Sequence, residues 1–382
     1  MVLLEGARKP GAKILVSGGS RCNLTNIVVT ERDFWGGRST IVRRVLRAFP
    51  VPETIAFFRE LGVQVHEEAG GKLFPDSNRA RDVLDALLRE TDRSGAVLLT
   101  EQRVHGIAPA GDGFQVTTSR GSLHARTIVL ATGGQSLPKS GSDGVGFAIA
   151  RRLGHTIVPP TPALVPLVLE GNLQSGLAGV SQDVELTIWI DGAVATRLNG
   201  ALLWTHAGVS GPVAMNASRH WLRAQLEGRT PAITVNFFPG ASFDDLERRW
   251  TALSAERPAA SVQHTLATMV PASVAAALVA HLQLGGAGQL AQLPREERRR
   301  LVHALVAWPL PVAGTRGYNY AEATAGGVAL TEIDPATMQS RVCRGLYLVG
   351  EILDVDGRIG GFNFQWAWST ARIAGAALGV SR

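Results

Sequence analysis

Hydrophobic positions change period several times along the chain, and each change marks an element. "MVLLEG" opens on an apolar run closed by Glu5, which reads as a short strand; a Gly/Pro turn and a second apolar segment follow, running into "SGGSRCNLTN". "STIVRRVLRAFPVPETIAFFRELGVQVH" has helical spacing broken at Pro50 and Pro52, and Gly62 ends the second helix before a short strand. "FPDSNRARDVLDALLRE" predicts another helix, with Asp76 or Ser77 as cap and Val83, Leu84, Leu87 and Leu88 on one face. Three strand candidates come next, "VLLTEQRVHGI", "FQVTTS" and "HARTIVLATGG". Strands and helices thus mix in the α/β manner.

Beyond Pro159 the texture becomes short β-rich pieces such as "DVELTIWI", "AVATRL", "ALLWTHAGVSGPV" and "AITVNFF", which read as a small antiparallel domain. From Ser242 to Trp308 an Ala/Leu/Arg-rich helical pattern takes over and reads as an insert. The last stretch, "RGLYLVGEILDVDGRIGGFNFQWAWSTARIAGAAL", gives one buried strand, a Gly-rich loop and a helix.

Composition sharpens this picture. A chain of 382 residues, 45% hydrophobic, is too long for one ordinary core, so two or three domains are expected. Its longest apolar stretches fall short of the ~20 residues a bilayer crossing needs, and no signal-peptide pattern opens it. A cytoplasmic protein without a membrane partner is the expectation. Cys22 and Cys343 are the two cysteines, which excludes a disulfide framework and a cysteine zinc site, and no metal is expected. The formal charge is +6, yet the basic residues are scattered and "PREERRR" mixes signs, so no nucleic-acid partner is expected. Lysine occurs at positions 9, 13, 72 and 139, leaving arginine to carry most of the positive charge.

Three stretches carry chemistry. In "TIVLATGG" a β-branched strand runs into paired glycines, where a ligand can approach backbone closely. In "LYLVGEILDVDGRIGGFNFQW" a strand end, two acids (Glu351, Asp354) and a helix start bracket one point. The N–H groups at Phe362 to Gln365 favour negative charge there, and Asp354 suits a sugar-like hydroxyl. In "SGGSRCNLTN" small residues allow close approach while Arg21, Asn23, Thr25 and Asn26 offer hydrogen bonds, which suits a flat polar ring or a pyrophosphate. Cys22 reads better as a packed small residue than as a redox thiol.

Taken in order, these stretches together with "GGKLFPDSNRARDVLDALL", "LATGGQSLPKSGSDGVGFAIARRLGH", "PALVPL", "LLWTHAGVSGP" and "ATAGGVALTEIDPATMQS" resemble a bacterial family of FAD-dependent oxidoreductases. That family includes aminoacetone-oxidase-like and bile-acid-reductase-like flavoproteins. The resemblance implies an α/β fold with a Rossmann-like FAD-binding domain from both chain ends (1–158 and 326–382), a β-rich middle domain (159–240 and 309–325) and a helical insert (241–308). It puts Glu5 on the FAD ribose, and Ser17, Gly18, Arg21, Cys22, Asn23 and Thr25 along the pyrophosphate and flavin. Val104 would reach adenine through its backbone, and Thr132 and Gly133 would lie beneath the dinucleotide. Glu351 and Asp354 would take the ribitol, and Gly361, Phe362 and Asn363 the flavin pyrimidine edge.

Two departures from the family pattern stand out. Ser20 occupies a position that is usually glycine. In Rossmann proteins the acid follows a GxGxxG turn by about 20 residues, whereas Glu5 has only four residues before it. The chain is therefore expected to begin inside the second strand, without the first βα unit. A longer product is expected to carry roughly 20–30 further residues that read as strand, GxGxxG and helix.

The resemblance implies a flavoprotein oxidoreductase that passes hydride between FAD and a small organic substrate or dioxygen, with NADH or NADPH as possible electron donor. His206, Tyr318 and Asn319 are candidates to line the substrate site, and no residue is assigned a catalytic role. One alternative is a non-enzymatic remnant that no longer holds FAD. The other is a flavin-dependent RNA-modifying enzyme, prompted by the basic charge.

Overall fold

Apolar strand segments from distant parts of the sequence meet in parallel pairs in the computed structural model, which describes residues 1–284 and 288–379. Positions 285–287 of the expected insert and 380–382 of the C-terminal segment lie outside the described residues. The chain divides into two compact units, one built from Met1–Ala163 with the sequence from Tyr318 onward, the other from Leu164–Gly317. No helix among the described residues is long and apolar enough to cross a membrane.

The first unit is a Rossmann-type α/β assembly. Val2–Leu4 pairs in parallel with Val97–Leu99, and Ile128–Leu130 pairs in parallel with Leu346–Leu348. Among the described residues no strand pairs with the other edge of Val2–Leu4. Helices α1 (Ala12–Ser20), α2 (Ser39–Ala48), α3 (Val51–Glu60), α4 (Ala80–Arg93) and α5 (Val145–Arg152) precede the C-terminal helix Phe362–Ala377. Val42, Val45 and Leu46 form the buried stripe of α2 and join a core with Phe34, Leu348, Phe362 and Trp366. A second cluster gathers Cys22, Leu24, Phe58, Val83 and Ala86.

The pattern reading needs three corrections here. The first strand candidate divides into Val97–Leu99 and Val104–Ala110, because Glu101 takes a left-handed φ of +56° and the Gln102 N–H turns to the Glu5 carbonyl. The third divides into Gly121–Ala125, which pairs antiparallel with Gly113–Thr118, and Ile128–Leu130 in the parallel pair. Neither Asp76 nor Ser77 caps α4; the helix starts at Ala80 behind an extended Arg79, and Ser77 hydrogen-bonds the Asp82 carboxylate instead.

In the second unit seven strands form one antiparallel sheet, ordered Trp308–Leu310, Pro231–Asn236, Ser181–Ile190, Ala193–Thr205, Gly208–Ser210, Leu167–Leu169 and Val312–Thr315. The long hairpin Ser181–Ile190/Ala193–Thr205 turns at Asp191–Gly192, both at positive φ (+53° and +80°), as a tight two-residue hairpin turn requires. Here too a correction is due: the β-rich stretch contains a 16-residue helix, α6 (Gly211–Leu226), opened by Pro212 in its first turn and followed by Gly228 at φ +72°. Helices α7 (Phe243–Glu256), α8 (Val262–Ala267), α9 (Ala272–His281) and α10 (Arg295–Ala307) follow the Ala/Leu/Arg-rich pattern. They share one core with the sheet, through Trp250, Leu266, Leu278 and Leu305 against Ile188, Trp204 and Ile233.

Candidate functional site

Parallel strands present their carboxyl ends to ligands, because the loops that leave them carry free backbone groups. Leu130 and Leu348 end the pair Ile128–Leu130/Leu346–Leu348 side by side, and the Val349 N–H donates to the Leu130 carbonyl at 3.1 Å. The loop after Leu130 carries Thr132, Gly133 and Gly134; the loop after Leu348 carries Gly350 and Glu351. These sequence-selected stretches therefore share one edge.

Lys13, which the sequence reading did not single out, reaches the same edge from α1. Its ammonium pairs with Glu351 Oε2 and donates to Ser136 Oγ at 2.6 Å. Glu351 Oε1 accepts from Ser136 Oγ at 2.9 Å and from the Thr324 N–H at 2.8 Å. Thr324 Oγ1 in turn accepts the N–H groups of Gln135 (2.8 Å) and Ser136 (3.1 Å). Ser136 and Thr324 are fully buried, while the side chains of Lys13 and Glu351 keep 30% and 18% of their surface open. The one available sequence signal was the rarity of lysine.

The opening glycine stretch behaves as an exposed turn. After Val16 the helical path is left at Ser17 (ψ 147°), and Gly18, Gly19 and Ser20 are all left-handed (φ +54°, +68°, +67°). A Cβ on Gly19 would meet no atom within 4 Å, whereas one on Gly18 would meet the Asn23 N–H at 2.8 Å. Ser17 Oγ donates to the Ile14 carbonyl. Arg21 is held by Glu68 at 2.5 Å and lies over the Phe74 ring at 4.1 Å. Cys22 is fully buried, and burial pushes its thiol up to about 11.

Thr25, Asn23 and the start of the C-terminal helix form a second cluster. Thr25 Oγ1 donates to Gln365 Oε1 at 2.7 Å, and Gln365 Nε2 donates to the Phe49 carbonyl, Thr54 and Ser369. With its amide oriented by this network, Asn23 donates to the Thr25 carbonyl (2.9 Å) and accepts from the Gly361 N–H (3.1 Å). A Cβ on Gly361 would lie 2.5 Å from the Thr25 carbonyl, so close packing as well as any ligand demands glycine there. Phe362 is fully buried against Phe34 and beneath Arg358, and the Asn363 amide is bound to the Gly357 backbone. A ligand at these two residues would meet backbone.

The remaining selected residues are more scattered. Glu5 follows Val2–Leu4, accepts the Ala7 N–H at 2.8 Å and lies near the turn that leads to Val104. Asp354 is buried, with its carboxylate beside Gly36 and its carbonyl bound by the Gly37 N–H at 2.7 Å. Tyr318 and Asn319 open a 3-10 turn in the first unit, and His206 is exposed in a turn of the second.

The edge suits a diphosphate-bearing, polyol-bearing ligand. Gly133 sits at φ +71°, Lys13, paired with Glu351, keeps part of its side-chain surface open, and the Thr132 hydroxyl, buried against Gly146 of α5, has no hydrogen-bond partner. A profile of the HI0933-like protein Rossmann domain matches residues 1–377. The chain belongs to this family. The family is one of FAD-binding Rossmann proteins, and it has reductase members. It is 32% identical over 375 residues to a 3-dehydro-bile acid delta(4,6)-reductase of Clostridium scindens, covering 98% of this chain and 91% of that protein. It is 33% identical over 377 residues to the ribosomal RNA dihydrouridine synthase of Escherichia coli (97% and 90% covered). Against the Haemophilus influenzae protein of the same name, identity is 29% over 391 residues (100% and 92%).

Proposed function

We propose that this protein reduces a carbon–carbon double bond conjugated to a carbonyl, with FAD as bound cofactor and NADH or NADPH as electron donor. The observation that carries the reading is a chemistry common to relatives of nearly equal identity. A delta(4,6)-reductase acting on a 3-dehydro steroid and a synthase making dihydrouridine both saturate a double bond in conjugation with a carbonyl. When bound, the flavin supplies the hydride to the β-carbon, and a proton completes the addition at the α-carbon. In this reading Glu5 holds the ribose, Lys13, Thr132 and Gly133 line the diphosphate and polyol, and Glu351 fixes Lys13. The backbone at Gly361 and Phe362 meets the flavin ring near Asn23 and Thr25.

A second, narrower reading makes the reduced group a uracil base in RNA. Two of the named relatives act on ribosomal RNA, and the helix α2 turns three arginines outward, Arg43, Arg44 and Arg47. The test is spectroscopic. Purified protein, with FAD added, should show flavin absorbance that bleaches with NADH or NADPH under nitrogen and returns on addition of an enone steroid or a uridine-containing RNA. Failure to take up FAD would remove the proposal, and reoxidation by dioxygen alone would make the protein an oxidase.

A further inference from the structure

The scattered arginines of the sequence are partly gathered by folding. On α2, Val42, Val45 and Leu46 face the core, which forces Thr40, Arg43, Arg44 and Arg47 onto the opposite, exposed face. The 3-10 turn Glu31–Asp33 packs beside the helix and adds exposed Arg32. Two carboxylates lie among these four guanidinium groups, and both are engaged. Glu31 pairs with Arg43 at 2.7 Å, and Asp33 pairs with Arg358 at 2.7 Å. Arg44 and Arg47 have no ion-pair partner among the described residues. A cavity of about 380 Å³ lies between the helix and Val29–Glu31, lined by Thr30, Glu31, Arg43, Arg47, Leu46 and Gln365 among others.

We propose that this face of α2 docks the phosphate backbone of RNA, with Arg44 and Arg47 as the contacting cations. The inference rests on the second, RNA-directed reading above. Charge complementarity selects the occupant. Arginine offers a fixed fork of donors that matches phosphate, and the exposed face presents no large apolar side chain to insert into a lipid surface. Arg44 and Arg47 stand three residues apart, ~4.5 Å along the axis, on the same side of the helix. Arg43, already neutralised by Glu31, contributes less than Arg44 and Arg47.

The experiment measures binding of the full, FAD-loaded chain to a fluorescein-labelled RNA hairpin with uridines in its loop, over a range of salt. The wild-type protein should bind, with affinity that falls steeply as salt rises. Arg44→Ala/Arg47→Ala should weaken binding roughly tenfold and reduce the salt slope by about 1.4–1.8, two phosphate contacts' worth. Arg44→Lys/Arg47→Lys should keep most of the slope. Flavin content and reduction of a small enone should be the same in all three proteins. Absence of wild-type binding, an unchanged slope in the alanine variant, or binding to phosphatidylglycerol vesicles in place of RNA would each overturn the proposal. Loss of enone reduction in the wild type would instead strike the reductase reading, and the slope comparison would still decide the surface.

Discussion

Lys13 and Glu351 are 338 residues apart in sequence and joined by an ion pair at the carboxyl edge of a parallel strand pair. Glu351 also takes hydrogen bonds from Ser136 and the Thr324 N–H, so its removal would leave several polar groups without an acceptor. Glu351→Ala should cost about 1–3 kcal/mol in urea denaturation, and Glu351→Gln, which keeps an acceptor oxygen, distinctly less. Lys13→Met should lower FAD affinity in titrations followed by flavin fluorescence, with a weaker salt dependence than wild type. Equal affinity and equal salt dependence would remove Lys13 from the cofactor site.

Local signals revealed the edge itself but not what closes it. The paired glycines after Leu130 and the acids after Leu348 stand out in the sequence because strand ends and glycines are local features. Lys13 does not stand out, since its partners are set by chain folding over hundreds of residues. The same limit explains α6. Its "GVSGP" start resembles a β-turn, and only burial of Val213, Ala214, Ala217 and Trp221 against the sheet makes the following residues helical. The motif marks Phe362 and Asn363, yet their side chains serve packing and backbone ties, which no spacing reveals.

Ser20 is the third consecutive left-handed residue of an exposed turn, at φ +67°. A Cβ in that region is strained, while glycine adopts it freely at a cost in chain entropy. Ser20→Gly should therefore stabilise the protein by about 0.5–1 kcal/mol, seen as a higher melting temperature. A lower melting temperature would mean that the hydroxyl makes a compensating bond.

Cys22 is fully buried with its thiol pushed up to about 11, whereas Cys343 is partly exposed and only modestly buried. The thiolate is the reactive species, so native protein at neutral pH should be alkylated at Cys343 and not at Cys22 until denaturant is added. Peptide mapping after iodoacetamide treatment reads the order directly. Cys22→Ala should also leave reduction of the bound flavin by NADH or NADPH intact; its loss would give the thiol a redox role.

His220, on α6, has its imidazole pushed down to about 3, first by burial and then by neighbouring Arg219. Its ordinary value is 6.5, so above that pH both folded and unfolded chains carry it neutral and stability is unaffected. As pH falls below 6.5 the unfolded chain takes up a proton that the folded chain refuses, and stability declines until the folded value near 3 is reached. At pH 5, one and a half units below 6.5, the loss from this residue is about 2 kcal/mol. Urea midpoints followed by tryptophan fluorescence at pH 7.5 and pH 5 measure it, with His220→Gln as control. The variant should lose about 2 kcal/mol less than wild type over that interval. Parallel losses in the two proteins would show that His220 takes up its proton equally in both states.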